Sequence, residues 1–179
     1  YPLALCFDGR SCMEKPVNPA KWSRRKIGVK FSDDLESLID LAVEKSLQGN
    51  CVCWIRNTVA DAIELFRRLK GDSRIESERV QLFHARFILA DRLRIEGEVL
   101  KRFGKHSSES DRSGRILIAT QVVEQSLDVD FDFMVSEIAP IDLLLQRAGR
   151  LHRFPWNSIH RRATLWEVPQ LRVFMPCQT

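Results

Sequence analysis

Short, almost wholly apolar runs alternate with longer amphipathic segments along most of this chain. The apolar runs lie at residues 51–55, 80–83, 115–119 and 133–135. A run of four or five apolar residues is typical of a strand that is buried on both faces. Because strands that alternate with helices build sheets covered on both sides, the pattern predicts a three-layer α/β domain with a mainly parallel sheet.

The segments between these runs carry the start and stop signals of helices. Thr58 and Asp61 form a T-x-x-D start signal, and Gly71 can end the helix that they begin. Pro140 is well placed in the first turn of a later helix. Helices are therefore predicted over about residues 35–47, 59–69, 88–103 and 140–150, and further strands over residues 27–31, 163–168 and 171–174.

Length and composition indicate one folded domain rather than a disordered tail. The chain has 179 residues, of which 44% are hydrophobic, and a formal net charge of +4. These values allow a substantial core, and the mildly basic balance permits contact with a polyanion. We interpret residues 1–30, which contain three prolines, as a connector with a first strand at its end, and residues 31–179 as the domain itself.

Cysteine usage bears on the compartment. The chain has five cysteines, an odd number, and Cys51 and Cys53 lie in an apolar run, so we expect reduced thiols and a cytoplasmic protein. On a strand, the C-x-C spacing puts both thiols on one face, which favours core packing over metal binding. The sequence has neither a signal peptide nor an apolar run of about 18 residues, so no membrane contact is expected. Because the chain begins at Tyr1, we expect it to be a piece of a longer polypeptide.

Polar groups follow the predicted strands at their carboxyl ends. Arg56, Asn57 and Thr58 come directly after the first buried strand, and His84 and Arg86 follow the second. The carboxyl ends of parallel strands meet along one edge, where α/β proteins gather their ligands. A ligand site is therefore expected at this edge of the sheet.

The stretch from Gln146 to Arg153 reads Q-x-x-G-R-x-x-R and concentrates positive charge. On the predicted helix, Arg147 and Arg150 share one face, as do Arg150 and Arg153. Guanidinium groups are always ionised and donate in a planar fork, which suits a triphosphate whose charge shifts outward during cleavage. A solvated basic helix face is the alternative interpretation.

Residues 115–130 combine a buried strand with a polar turn. The strand delivers Thr120 and Gln121 at its tip, where hydroxyl and amide groups can hold a nucleic-acid phosphate without reading sequence. Asp128 can accept a hydrogen bond from a ribose hydroxyl. A strand followed by an ordinary polar turn is the alternative.

These two stretches together resemble motifs V and VI of superfamily-two helicases in their order and separation. Over residues 50–155 the chain further resembles the CRISPR-associated helicase–nuclease of type I systems. The most characteristic part is A-T-Q-V-V-E-Q-S-L-D at residues 119–128, and the resemblance also includes residues 82–87, 103–105 and 142–153. It implies the second RecA-like domain of an ATP-dependent single-stranded DNA helicase of CRISPR interference.

The resemblance also implies a role for individual residues. Arg150 and Arg153 match two arginine fingers, and Gln146 matches the residue that senses the γ-phosphate or the attacking water. The implied nucleotide contacts are Asp128, Ser126 and Arg147, although many superfamily members carry glycine at the serine position. The implied contacts with single-stranded DNA are Thr120, Gln121, His84, Arg86, Arg56, Asn57 and Thr58.

The implied cofactor and partners follow from the same resemblance. ATP with Mg²⁺ would be held mainly by a first RecA-like domain. The implied partners are single-stranded DNA, that first domain and a nuclease domain of the same polypeptide, and the CRISPR surveillance complex. No G-x-x-x-x-G-K-[ST] loop, Walker B Asp-Glu pair or His-Asp nuclease cluster is present in the sequence. The chain alone is therefore expected to be inactive, and no metal site is expected in it.

Two alternatives stay open at this level. The chain could be the equivalent domain of another superfamily-two motor, or a module that binds nucleic acid and hydrolyses nothing. Further basic residues, Arg112 and Arg115 among them, are candidates for a phosphate track, although surface cations are more often simply solvated.

Overall fold

The computed structural model describes residues 3–17, 26–125, 127–154 and 168–176. The first of these segments forms an antiparallel hairpin of two strands, β1 (Leu3–Phe7) and β2 (Cys12–Pro16). Its residues 4–17 are all exposed. The connector predicted over residues 1–30 thus contains a hairpin. The last three residues of the connector, 28–30, already belong to the first strand of the main sheet.

A parallel sheet forms the centre of the domain and confirms the predicted fold class. Its strands in the described part of the chain are β3 (Gly28–Ser32), β4 (Val52–Ile55), β5 (Val80–Phe83), β6 (Ile116–Ala119), β7 (Phe133–Glu137) and β8 (Gln170–Phe174). They lie in the order β3-β8-β7-β4-β6-β5, and each neighbouring pair is parallel. Of the two late strands predicted, residues 171–174 lie in β8, whereas residues 163–167 fall outside the described residues.

The α-helices in the described part of the chain are α1 (Leu35–Leu47), α2 (Val59–Lys70), α3 (Leu89–Phe103), α4 (Glu109–Arg112), α5 (Val122–Gln125) and α6 (Ile141–Ala148). The predicted bounds of α1, α2 and α3 agree with these within one residue, and side-chain caps fix the start of two of them. Asp34 accepts a hydrogen bond from the Ser37 N–H at the start of α1, and Thr58 accepts one from the Asp61 N–H at the start of α2. No helix in the described ranges is long and apolar enough to cross a membrane.

Strand β4 shows why its run is apolar throughout. Cys51, Cys53 and Ile55 pack into the core on one side of the sheet, with α3 and α6 residues. Val52 and Trp54 pack into the core on the other side, with α1 and α2 residues. Both faces of the strand are therefore covered, and the predicted placement of both thiols on one face is confirmed.

The helix predicted over residues 140–150 is shorter than expected. It ends at Ala148, and the Gly149 N–H donates to the Leu145 carbonyl as the last helical bond. A Cβ at Gly149 would lie only 3.2 Å from the Gln146 carbonyl oxygen, which is a tight contact. The prediction that three arginines share one helix face was therefore wrong, because Arg150 and Arg153 lie beyond the helix.

Candidate nucleotide and nucleic-acid site

The carboxyl ends of β4 and β7 are joined by an ion pair. Arg56 Nε lies 3.1 Å from Glu137 Oε2, and both side chains are only 10% exposed. The same carboxylate oxygen accepts a hydrogen bond from the Asn57 N–H at 2.9 Å. The Asn57 side chain donates to the Ile138 carbonyl at 2.8 Å. Arg56 and Asn57 therefore lie at the predicted edge, but Arg56 already has a carboxylate partner.

The end of β6 lies between those of β4 and β5. Thr120 is buried, and its N–H donates to the Phe83 carbonyl at 3.2 Å. Gln121 is half-buried, and its Nε2 donates to the Asn57 carbonyl at 3.0 Å. Thr58 is exposed and caps α2. The structure thus brings the candidates from two strands together at one place.

His84 and Arg86 lie at the neighbouring end of β5. The His84 ring stacks on Phe87 with centroids 4.0 Å apart and an interplanar angle of 7°. His84 Nδ1 accepts a hydrogen bond from the Arg86 N–H at 3.2 Å. Burial lowers the pKa of His84, whereas the Arg86 side chain is exposed. The two residues therefore differ in access, and only Arg86 presents a charge to solvent.

Arg147 lies in the interior rather than on a ligand-facing surface. It is 0% exposed, and its Nε donates to Glu124 Oε1 at 2.6 Å. Its Nη1 donates to the Ser136 hydroxyl at 2.8 Å and to the Glu137 carbonyl at 2.9 Å. In this position Arg147 links α5, α6 and the end of β7, so the structure does not support its interpretation as a nucleotide contact. The physical reason is the buried carboxylate of Glu124, which a guanidinium must neutralise.

Arg150 and Arg153 lie close together beyond the end of α6. The Arg150 guanidinium is half-buried and donates to the backbone carbonyls of Glu124, at 2.7 Å, and Leu127. Arg153 Nε lies 2.8 Å from Asp128 Oδ1, and these two side chains are 40% and 55% exposed. The pKa of Arg150 is lowered, mainly by burial and secondly by the charge of Arg153. The site therefore holds two cations that repel each other and one exposed carboxylate.

Two further residues complete the nucleotide candidates. Gln146 is exposed on α6, next to the buried Arg147. Ser126 lies outside the described residues. The candidates thus form two groups, one at the strand ends and one on the last turn of α6 and just beyond it. Glu137 joins them, because its carboxylate holds Arg56 and its carbonyl holds Arg147.

Sequence reasoning missed three buried carboxylates that organise these groups. Glu124 pairs with Arg147, Glu137 with Arg56, and Asp130 accepts a hydrogen bond from the Arg153 N–H at 2.8 Å. A partial signal was available, since each of them directly adjoins an apolar residue: Val123, Ile138, and Val129 with Phe131. A carboxylate at such a position is rarely buried without a partner, so a matching cation elsewhere should have been expected.

The parallel sheet and its helices define a RecA-like domain, the unit from which superfamily-two helicases are built. The Mycobacterium smegmatis helicase Lhr, in its structure with single-stranded DNA and AMP-PNP, has this fold. It matches with a TM-score of 0.53 at 18% identity, over 85% of this chain and 20% of its own. At this identity the likeness shows the fold alone.

The chain belongs to the family of the C-terminal part of the CRISPR-associated nuclease/helicase Cas3, whose family model matches residues 48–155. The Cas3 endonuclease/helicase of Escherichia coli K12 is 40% identical over 162 residues, which are 88% of this chain and 17% of that relative. The crystal structure of T. fusca Cas3-ATP has a TM-score of 0.84 at 34% identity, over 99% of this chain and 22% of that chain.

A CRISPR RNA-guided surveillance complex in its pre-nicking state contains another similar chain. It has a TM-score of 0.77 at 30% identity, over 97% of this chain and 22% of its own. The chain therefore spans about a fifth of the length of these relatives, from 17% to 22%.

Proposed function

We propose that this chain is the second RecA-like half of an ATP-driven single-stranded DNA helicase in CRISPR interference, and that Arg150 and Arg153 are its arginine fingers. The observation that carries the proposal is the pair of neighbouring cations beyond α6: the Arg150 guanidinium is half-buried, and Arg153 forms a solvent-exposed ion pair with Asp128. Burial first, and the charge of Arg153 second, lower the pKa of Arg150. An anionic triphosphate would offset the repulsion between the two cations. Membership of the Cas3 family supports ATP as that triphosphate.

The arrangement suggests how the site responds to nucleotide. ATP with Mg²⁺ would be held mainly by a first RecA-like domain, where the metal would neutralise charge on the phosphates. Arg153 exchanges the carboxylate of Asp128 for the γ-phosphate, and Asp128 is then available to a ribose hydroxyl. Gln146, exposed on α6, orients the attacking water. The exchange costs little because the Arg153–Asp128 pair is exposed to water.

The strand ends form the proposed path of the DNA. Arg86 offers an exposed cation, while Asn57, Thr58 and Gln121 offer partly exposed polar groups beside it in the sheet order. Such groups contact phosphates without reading bases, as a translocating motor requires. We assign Arg56, Thr120 and His84, which are buried, to the support of these groups.

Closure around ATP supplies the movement in this proposal. The fingers interact with the γ-phosphate, which is lost on hydrolysis. The ATP-bound and ADP-bound states therefore differ in the contacts between the two RecA-like domains, so the domains close when ATP binds and separate after hydrolysis. The proposed partners are the first RecA-like domain, a nuclease domain and a CRISPR surveillance complex. The similar chain in the pre-nicking complex supports the last of these.

A chimera tests the proposal. This chain replaces the matching segment of the Escherichia coli relative, and ATP hydrolysis is measured with and without a single-stranded oligonucleotide. Arg150→Ala and Arg153→Ala should each lower kcat by about a thousandfold, the contribution of an arginine finger. Their affinity for the oligonucleotide should change less than twofold.

Arg68→Ala is the matched control, because Arg68 on α2 pairs with Glu36 on α1 at the surface and belongs to neither proposed group of site residues. It should leave kcat unchanged. Unchanged turnover in both finger variants would refute the finger assignment. If the chimera binds DNA but shows no DNA-stimulated hydrolysis, a non-catalytic binding module becomes the better description.

A further inference from the structure

A buried ion cluster lies beneath the arginine segment, defined here as residues 150–153. Arg112 is 0% exposed, and its Nη2 lies 3.6 Å from Asp130 Oδ2 and 3.4 Å from Asp132 Oδ1. Both carboxylates are buried as well. The suggestion that Arg112 lines a surface phosphate track is therefore wrong. Burying three charges costs a large free energy of desolvation. Hydrophobic residues of similar volume at these positions would therefore stabilise the fold at least as well.

Asp130 connects the ion cluster to the arginine segment. Its Oδ2 faces Arg112, and its Oδ1 accepts the hydrogen bond from the Arg153 N–H at 2.8 Å. Its own N–H donates to the Phe103 carbonyl at the end of α3, at 2.8 Å. Asp130 is thus fixed through its backbone and through Arg112, and it holds the backbone of Arg153 in turn.

The rest of the arginine segment is fixed by the residue after Asp130. The Phe131 N–H donates to the Arg150 carbonyl, and the His152 N–H donates to the Phe131 carbonyl, both at 3.0 Å. His152 has a φ of 47°, a left-handed conformation that is uncommon for a residue with a side chain. The surrounding bonds must hold it there, so the backbone at Arg153 depends on residues 130 and 131.

We propose that Arg112 and Asp130 are positioning residues, which set the backbone at Arg153 so that its guanidinium reaches the nucleotide. The inference rests on the proposed role of Arg153 as a finger. Without the charge of Arg112, two neighbouring carboxylates would share a buried site, and one of them would take up a proton or turn toward water. Either change loosens the bond to the Arg153 N–H. A misplacement of about 1 Å at a reacting group can lower a rate by about a hundredfold.

The test uses the chimera described above with Arg112→Met, which removes the charge, and Arg112→Lys, which keeps it. Arg112→Met should lower kcat for ATP hydrolysis by about tenfold or more, with the KM for ATP and the affinity for the oligonucleotide within about twofold. Arg112→Lys should recover part of this loss. A merely structural role would instead lower the melting temperature and leave kcat per folded molecule unchanged.

Val43→Ala is the control for stability. Val43 is buried on α1, in the core on the other side of the sheet from this cluster. Cys51 is unsuitable, because its thiol contacts both Arg112 Nη2 and the Asp130 carbonyl. We expect Val43→Ala to lower the melting temperature and to keep kcat. If it lowers kcat as much as Arg112→Met does, the loss follows from instability and the proposal fails.

Amide hydrogen exchange of the same proteins gives a readout that does not depend on turnover. Arg112→Met should accelerate exchange at residues 150–153 by at least about tenfold, with the strands of the sheet unchanged. Unchanged exchange there, or an equal rise throughout the sheet, overturns the positioning proposal. If exchange rises locally while Arg153→Ala keeps full turnover, positioning stands and the finger assignment fails. Should Arg112→Met not fold, Asp130→Ala, which removes the acceptor of the Arg153 N–H, replaces it with the same expected results.

Discussion

The buried pair of Arg147 and Glu124 gives the sharpest test of how the arginine-rich motif is built. Arg147→Met removes the guanidinium from a site where its side chain is 0% and that of Glu124 is 1% exposed. Glu124 is then left as a buried carboxylate without its cation, which costs about 3–5 kcal/mol. A domain of this kind is stable by only about 5–15 kcal/mol, so the loss is a large share of the total.

Urea unfolding of the chain measures this loss directly. With a slope of about 2 kcal/mol per molar urea, the midpoint should fall by about 1.5–2.5 M. The double variant Arg147→Met with Glu124→Leu should recover much of the loss, because replacing both partners by apolar groups leaves no buried charge. The exposed pair of Arg68 and Glu36 is the control, and Arg68→Met should cost less than about 1 kcal/mol. A loss as small for Arg147→Met as for Arg68→Met would refute the structural role of Arg147 and favour its role as a nucleotide contact.

Two further predictions concern the caps and the thiols. Thr58→Ala should lower the free energy of unfolding by about 1 kcal/mol, since Thr58 caps α2, whereas Thr58→Ser should restore it; urea unfolding measures both. Among the described cysteines, Cys6 and Cys12 are exposed, whereas Cys51 and Cys53 are buried, and burial raises the pKa of the Cys53 thiol. A thiol reagent at neutral pH should therefore modify Cys6 and Cys12 in the folded chain and leave Cys51 and Cys53 unmodified. Peptide mapping by mass spectrometry would show this, and rapid labelling of Cys53 would contradict the packing of β4.

The strands and most helix ends were predictable because their causes are local. The run at residues 51–55 is apolar on both faces, and β4 is buried on both faces. Thr58 and Gly71 stand at the two ends of α2, as their capping preferences predict. The edge that holds Arg56, Asn57 and Gln121 was predictable for a related reason, since all parallel strands present their carboxyl ends on one side.

The interior charges were not predictable from spacing because their partners are distant in sequence. Arg147 is buried against Glu124, which lies 23 residues away, and Arg112 against Asp132, which lies 20 residues away. Helical periodicity describes only the faces of one element, so it cannot show which cation a buried carboxylate will select. The hairpin over residues 3–16 was missed for a different reason, because its residues 4–16 are exposed and show no buried pattern.

The end of α6 explains how one short motif serves two purposes. Arg147 is the anchor: it points inward and ties the helix to α5 and β7. Gly149 follows as the last helical donor, at a place where a Cβ would crowd the Gln146 carbonyl. The chain leaves the helix there, and Arg150 donates to the backbone carbonyl of Glu124 while Arg147 holds its carboxylate. Arg153 pairs instead with the exposed carboxylate of Asp128. The motif thus divides its cations between the interior and the surface.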